Sequence, residues 1–346
     1  MRGFPSPVEE TRSHGPGAEG RRAPAPSEAR SGLLVVDKPT GVTSHDVVER
    51  VRRRLGIRAV GHLGTLDPAA SGLLVVAIGA ATRCAAVWQG GEKLYEGTLR
   101  FGVVTSTQDL TGEILERHPV DQLEERRVRE ATRFFVGEIE QIPPMVSAIK
   151  VGGQRLYRLA RRGVEVSREP RQVTVSAWEW LDFTLPTASF RLRCSGGTYV
   201  RTLAHHLGAR LGTGAALETL RRLRSEPFGL ERSLQWSDLD RLHPEGVWDR
   251  GGVPIAEALS VLPAVRLDGP AAEDIGHGRS VAVAPGAVAR SGGDLPLARG
   301  PRSVVLEGPD GGPLGLGELV QAPAGAGGLL ACPHVVFPWA RSEGVR

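Results

Sequence analysis

Residues 61–79 read GHLGTLDPAASGLLVVAIG, and the reading of this stretch decides the fold. The run LLVVAIG is continuously apolar and too short for a helix, so it predicts a buried strand. Just before it a single acidic residue, Asp67, stands among Gly61, Gly64 and Gly72 and directly ahead of Pro68. Proline biases the preceding residue toward extended geometry, and glycines permit tight turns or the close approach of another segment. The carboxylate is therefore held in one direction. On local chemistry alone a turn-forming Asp-Pro is the commoner outcome, so function needs support from elsewhere in the chain.

Upstream, LLVVDKP at residues 33–39 predicts a short strand stopped by Pro39. A helix follows: Thr43 and Asp46 form a TxxD capping signature, Val47, Val48, Val51 and Leu55 recur at helical spacing, and Gly56 suits the C-terminal cap. Residues 1–31 are rich in Pro, Gly, Arg, Glu and Ser, nearly lack large apolar groups, and are expected to be disordered. Downstream, strands are predicted at KLYEGTLRFGVV, RQVTVSAWEWLDF and SFRLRCS, and helices at residues 128–135, 203–211 and 217–223. Strands without regular helical crossovers predict an α+β fold, with a largely antiparallel mixed sheet flanked by helices. Near residue 259 the composition shifts to Gly, Pro, Ala and Val, which predicts a separate small β-domain over 259–346 after a main domain over 32–258. Residues 286–301 read as a loop.

Four further side chains invite chemistry. If GTYVR at residues 197–201 is extended, Tyr199 and Arg201 project from one face, and Arg201 is able to grip a buried carboxylate such as Asp67 bidentately. A surface arginine and a core tyrosine are the plainer alternative. Tyr95, in a predicted strand, either fills the core or stacks on a nucleobase. His62 is either a satisfied structural histidine or a residue that displaces an RNA base.

Composition narrows the class. The 346 residues are 40% hydrophobic, enough for at least one substantial core. No apolar run is long enough to cross a membrane and the N-terminus lacks the apolar core of a signal peptide, which points to the cytoplasm. Cys84, Cys194 and Cys332 lack metal or redox spacing and are expected to be reduced thiols, with no metal site. The net charge of +4 and the dominance of arginine favour a polyanionic partner, although arginine abundance also follows genome composition.

Five motifs in order decide the matter: DKPTGVTSHDVV, GHLGTLDPAASGLLVVAIGAATR, KLYEGTLRFGVVTSTQDLTGEI, QIPPMVSAIKVGGQRLYRLARRG, and GTYVRTLAHHLG with LRRLRSEPF. Over residues 33–227 the chain resembles the bacterial tRNA pseudouridine-55 synthases, the TruB family. The resemblance implies a pseudouridine synthase fold and a cofactor-free isomerisation of uridine 55 in the T-loop of transfer RNA. It assigns Asp67 as the essential aspartate, Tyr95 as the ring that stacks on the target base, Arg201 as the aspartate's partner and Tyr199 as its neighbour. It further implies that His62 wedges the nucleotide out of the loop, that Lys38 and Pro39 pack beside the site, and that Leu220 forms an apolar wall. Residues 143–171 match an insertion that closes over RNA, with Lys150 and Arg155 as phosphate contacts. Leu63, Ser71 and Val146 depart from the residues common in the family. Residues 262–338 resemble, more loosely, the small PUA-like RNA-binding β-barrel that often follows this domain. Transfer RNA is the implied partner, with a monomer, no membrane and no obligate protein partner. A non-enzymatic RNA-folding protein and a guide-RNA-dependent relative are the rivals, and modification of naked tRNA by pure protein separates them.

Overall fold

The computed structural model describes residues 31–147, 150–156, 159, 162–164, 166–283, 288–290, 303–322 and 328–341. The predicted N-terminal extension lies outside the described residues except at Ser31. In chain order the first elements are β1 (Gly32–Lys38), α1 (Ser44–Leu55), β2 (Val60–His62), β3 (Ser71–Ile78), β4 (Lys93–Phe101), β5 (Val103–Thr105), β6 (Ile114–Arg117), α2 (Glu125–Thr132) and β7 (Gly137–Gln141). A hairpin of β8 (Lys150–Val151) and β9 (Gln154–Arg155) follows, then β10 (Arg171–Thr184), β11 (Thr187–Cys194), α3 (Val200–Leu211), β12 (Ala215–Ser225), β13 (Phe228–Gly229), β14 (Leu234–Gln235) and β15 (Gly252–Pro254).

These strands form an 11-stranded sheet whose main path is β14-β1-β3-β12-β4-β11-β10-β7. Its pairings are antiparallel except β1 with β14 and β12 with β3, so the expected mixed and largely antiparallel sheet is what the chain forms. Burial of β3 on both faces explains its unbroken apolar run. Leu73, Val75 and Ala77 face one core, while Leu74, Val76 and Ile78 face another, where Val47, Val48 and Val51 of α1 cover them. Burying each of those valines contributes about 1.5–3 kcal/mol. Helix α1 starts and stops as its sequence dictates: Thr43 and Asp46 form a reciprocal capping box, and Gly56 takes a left-handed φ of 67° with its N–H donating to Arg52 O. A third core joins α2 and α3 to β4, β10 and β11 through Leu99, Phe101, Phe190, Leu192, Leu203 and Leu207.

One predicted helix is wrong. Residues 217–223 lie in β12, a strand. Leu217, Leu220 and Leu223 mimic helical spacing, but β12 carries register shifts at Leu217/Thr219 and Arg222/Arg224 that reset the alternation of its faces. The predicted strand KLYEGTLRFGVV is likewise broken into β4 and β5, because Gly102 takes a φ of 86° between them.

The C-terminal strands are β16 (Ala264–Arg266), β17 (Val281–Val283), β18 (Val288–Arg290), β19 (Ser303–Glu307), β20 (Pro313–Gln321) and β21 (Leu329–Val336), in the order β17-β21-β20-β19-β16-β18. The end strands β17 and β18 do not pair with each other among the described residues, where the sheet forms a curled half-barrel. Residues 288–290, predicted as loop, form edge strand β18; the rest of 286–301 lies outside the described residues. Leu33, Val35, Leu73 and Val75 share one core with Ala264, Val305, Leu316 and Phe337, so the half-barrel is packed onto the large sheet.

Candidate active site

A cleft of about 280 Å³ opens over β4 and β12, lined among others by Leu66, Asp67, Tyr95, Tyr199, Arg201 and Leu220. Five of the side chains singled out from the sequence therefore meet in one place, although their positions span residues 67 to 220. The cleft's volume is near the low end of small-ligand sites.

The backbone around Asp67 is fixed from the side of α1. The Ser44 hydroxyl, 3% exposed, donates to Leu66 O at 3.0 Å and accepts from Leu66 N at 2.9 Å. Gly41 N donates to Pro68 O at 2.8 Å, and Ala70 N closes a turn on Asp67 O at 3.0 Å. The side chain is gripped by Arg201: Nε donates to Oδ2 at 2.8 Å and Nη2 to Oδ1 at 3.3 Å. The arginine side chain is only 4% exposed, whereas Asp67 is 39% exposed toward the cleft. Nη1 also donates to Thr107 O at 2.8 Å and Nη2 to Val146 O at 2.9 Å, so all three nitrogens of the fork are engaged.

Arg201 arrives by a different route from the one its spacing suggested. Tyr199 is the N-cap of α3, and Arg201 lies in the first helical turn, not on an extended strand. The two share the cleft because the strand-to-helix turn swings both inward, not because they alternate.

Sequence reading missed a second carboxylate. Asp109 is 8% exposed, and its Oδ2 lies 3.7 Å from Arg201 Nε. It is held by the Thr107 hydroxyl at 2.6 Å and by Thr111 N at 3.0 Å. The turn that carries it passes through Gln108 at a φ of 65°, a left-handed conformation costly for a residue with a Cβ. Gln108 is bound on both sides, accepting at its carbonyl from Leu217 N at 3.0 Å and at its side chain from Thr202 Oγ1 at 2.9 Å. The available signal was a carboxylate between threonines in TSTQDLTGE, which reads equally as a simple turn.

Tyr95 is 7% exposed, and burial raises its phenol above the ordinary tyrosine range, so it stays neutral in the cleft. Burial does the same to Tyr199. Lys93 and Arg222, not proposed from the sequence as site residues, also line the cleft. Burial pushes the Lys93 ammonium down to about 8, and its Nζ donates to Gly91 O at 2.7 Å.

The other candidates stand apart from the cleft wall. Lys38 is fully buried, donates to Pro39 O at 2.9 Å and Val42 O at 2.8 Å, and is lowered by burial to about 8 against the opposing pull of Asp67. It and Pro39 shape the turn behind the Asp67 loop. His62 ends β2, also outside the lining. Lys150 and Arg155 face each other across the β8–β9 hairpin, and their side chains lie outside the described residues. Among the described residues no cluster suited to a metal ion occurs, and no helix is long and apolar enough to cross a membrane.

Comparison with known proteins identifies the family of the chain. Residues 52–200 match the model of the TruB family pseudouridylate synthase N-terminal domain, and residues 201–249 that of the tRNA pseudouridylate synthase B C-terminal domain. The tRNA pseudouridine synthase B of Opitutus terrae is 49% identical over 217 residues, covering 63% of this chain and 90% of the relative. That of Geobacillus kaustophilus is 46% identical over 254 residues, covering 71% and 89%. Among solved structures, a Cbf5-Nop10-Gar1 complex contains a chain with a TM-score of 0.65 and 27% identity, covering 90% of this chain and 87% of that one, which extends the likeness into the half-barrel. By its paired family models and these relatives, the chain belongs to the TruB family of tRNA pseudouridine synthases.

Proposed function

We propose that this enzyme isomerises uridine 55 in the T-arm of transfer RNA to pseudouridine, with Asp67 as the catalytic carboxylate. The observation that carries the reading is the two-oxygen grip of buried Arg201 on Asp67 beside Tyr95, in a cleft sized for a nucleobase. The reaction breaks the N1–C1′ bond, turns the uracil, and joins C5 to C1′; the proton lost from C5 is balanced by one gained at N1. It needs no redox or energy donor and no cofactor.

A uridine stacked in a loop is out of reach, so it must be flipped, at a cost of a few kcal/mol of stacking. His62 takes the wedge role, and Tyr95 and Leu220 receive the base between ring and aliphatic wall. Asp67 then acts as nucleophile or as the base that removes the C5 proton, with Arg201 fixing its direction. Lys150 and Arg155 contact phosphates from the insertion over 143–171, while Lys38 and Pro39 support the Asp67 loop from behind. Residues 32–258 form the catalytic domain, and residues 259–346 serve as a PUA-like RNA-binding domain on a cytoplasmic monomer.

The test is mass-spectrometric mapping of pseudouridine in an unmodified tRNA transcript incubated with pure protein. Modification at uridine 55 that disappears with Asp67→Asn supports the reading. Modification elsewhere, or an active Asp67→Asn, overturns it.

A further inference from the structure

The loop that presents Asp67 leaves β2 and enters β3, and one side chain from β12 touches both of its ends. Arg222 Nη2 donates to Gly64 O at 3.1 Å and Nε to Leu73 O at 2.7 Å. Its backbone also pairs with Gly72 in the parallel β12–β3 ladder. The approach is so close that a Cβ on Gly72 would lie 2.2 Å from Arg222 O, and Gly72 has a φ of 101°. No other residue type fits there. On its other side Arg222 pairs directly with Tyr95 of β4, and both residues line the cleft.

Arg222 is 3% exposed, and among the described residues the acceptors of its side chain are two carbonyls and no carboxylate. A buried guanidinium without a counter-charge is expensive to keep, and an apolar residue at such a place is usually the more stable choice. The geometry supplies a reason for keeping it. A planar fork bonds in several fixed directions at once, and those directions here run to the loop's entry and to its exit, while the strand pairing sets Tyr95 alongside. Ser44 holds the middle of the same loop from the opposite side, at Leu66.

We propose that Arg222 is a positioning residue for pseudouridine formation, a single clamp that sets the Asp67 loop and the Tyr95 ring in register. It acts through those two groups. The proposal rests on the reading of Asp67 and Tyr95 given above, and adds that their mutual placement depends on one guanidinium of β12.

The experiment compares full-length wild type, Arg222→Gln, Arg222→Lys and Asp67→Asn by single-turnover kinetics at saturating enzyme, tRNA filter binding, and hydrogen exchange of the 64–73 amides. Arg222→Gln is expected to lose about 100-fold in single-turnover rate while tRNA affinity stays within about threefold. Its loop amides are expected to exchange about tenfold faster, with those of β11 unchanged. Arg222→Lys, which keeps the charge and loses the fork, is expected to recover less than about a tenth of the lost rate. An Arg222→Gln enzyme with wild-type rate and wild-type loop exchange overturns the clamp, as does full rescue by lysine. Should the glutamine variant fail to fold, the lysine variant carries the same comparison. An active Asp67→Asn overturns the site reading itself; an inactive one beside an unaffected Arg222→Gln overturns the clamp alone.

Discussion

The floor of the cleft and the C-terminal half-barrel are built on opposite principles. Around the cleft the chain buries Lys38, Lys93, Asp109, Arg201 and Arg222, each satisfied by carbonyls, hydroxyls or a carboxylate. The half-barrel core is carried by Val265, Leu267, Ile275, Val281, Val304, Leu306 and Ala331, and among its described residues a single charged side chain, Glu307, is buried, 3.7 Å from Arg266. Burying charge is costly even when it is paired, so the first region gives up stability for directed chemistry while the second supplies stability by packing. Mutations should separate the two currencies.

The largest effect is expected at Asp67. An amide of the same volume cannot act as nucleophile or base, so Asp67→Asn should lower the single-turnover rate by about 1,000-fold or more. Its melting temperature and tRNA affinity should stay close to wild type. Near-normal turnover would erase the distinction drawn between the two regions.

Next in size is Arg201→Lys. Lysine keeps the charge but cannot reach both oxygens of Asp67 together with Thr107 O and Val146 O. The rate should fall about 100-fold with little change in filter binding. A variant that turns over normally but binds tRNA poorly would recast Arg201 as a phosphate contact.

In the half-barrel the outcome should invert. Leu306→Ala empties a fully buried site and should cost about 2–5 kcal/mol in denaturant unfolding. Turnover per folded molecule should not change. A kinetic defect without a stability loss would tie this region to catalysis and break the comparison.

A further effect is one of pH. Burial lowers the Lys38 and Lys93 ammonium groups from the ordinary 10.5 to about 8. Between those values the unfolded chain holds more protons than the folded one, so stability should rise as pH increases from 8 toward 10. Above that, the raised phenols of Tyr95 and Tyr199 act in the opposite sense. Replacing Lys93 with methionine should remove about half of the rise attributable to the two lysines, measured by urea titration at pH 8, 9 and 10. An unchanged slope would mean that Lys93 gives up no proton in that range.

Local chemistry was legible wherever one interaction type dominated. The α1 cap box and the doubly buried β3 run rest on short-range rules, and the described structure follows them. Tyr95, Asp67 and Arg201 were legible as a set only through resemblance, because nothing local says that residues so far apart in sequence converge. Legibility ended where tertiary contacts override pattern. The bulges of β12 turned a helical spacing into a strand, the N-terminus of α3 replaced an expected alternation at Tyr199 and Arg201, and Asp109 took its meaning from Arg201, which lies far along the chain. Arg222 was hidden for the same reason, since in LRRLRS it reads as one surface cation among several.

The core shared by the two sheets bears on the order in which this chain is made. Leu33 and Val35 of β1 leave the ribosome early. Their outer neighbours, β14 and β15, end at Pro254, and one of the residues that cover their face is Phe337. During synthesis that strand stays partly uncovered while most of the remaining chain is translated, an interval in which apolar surface is open to chaperones and proteases. A late-made segment is thus what finally conceals an early-made one, and arrested chains released before Phe337 should be digested faster than complete ones.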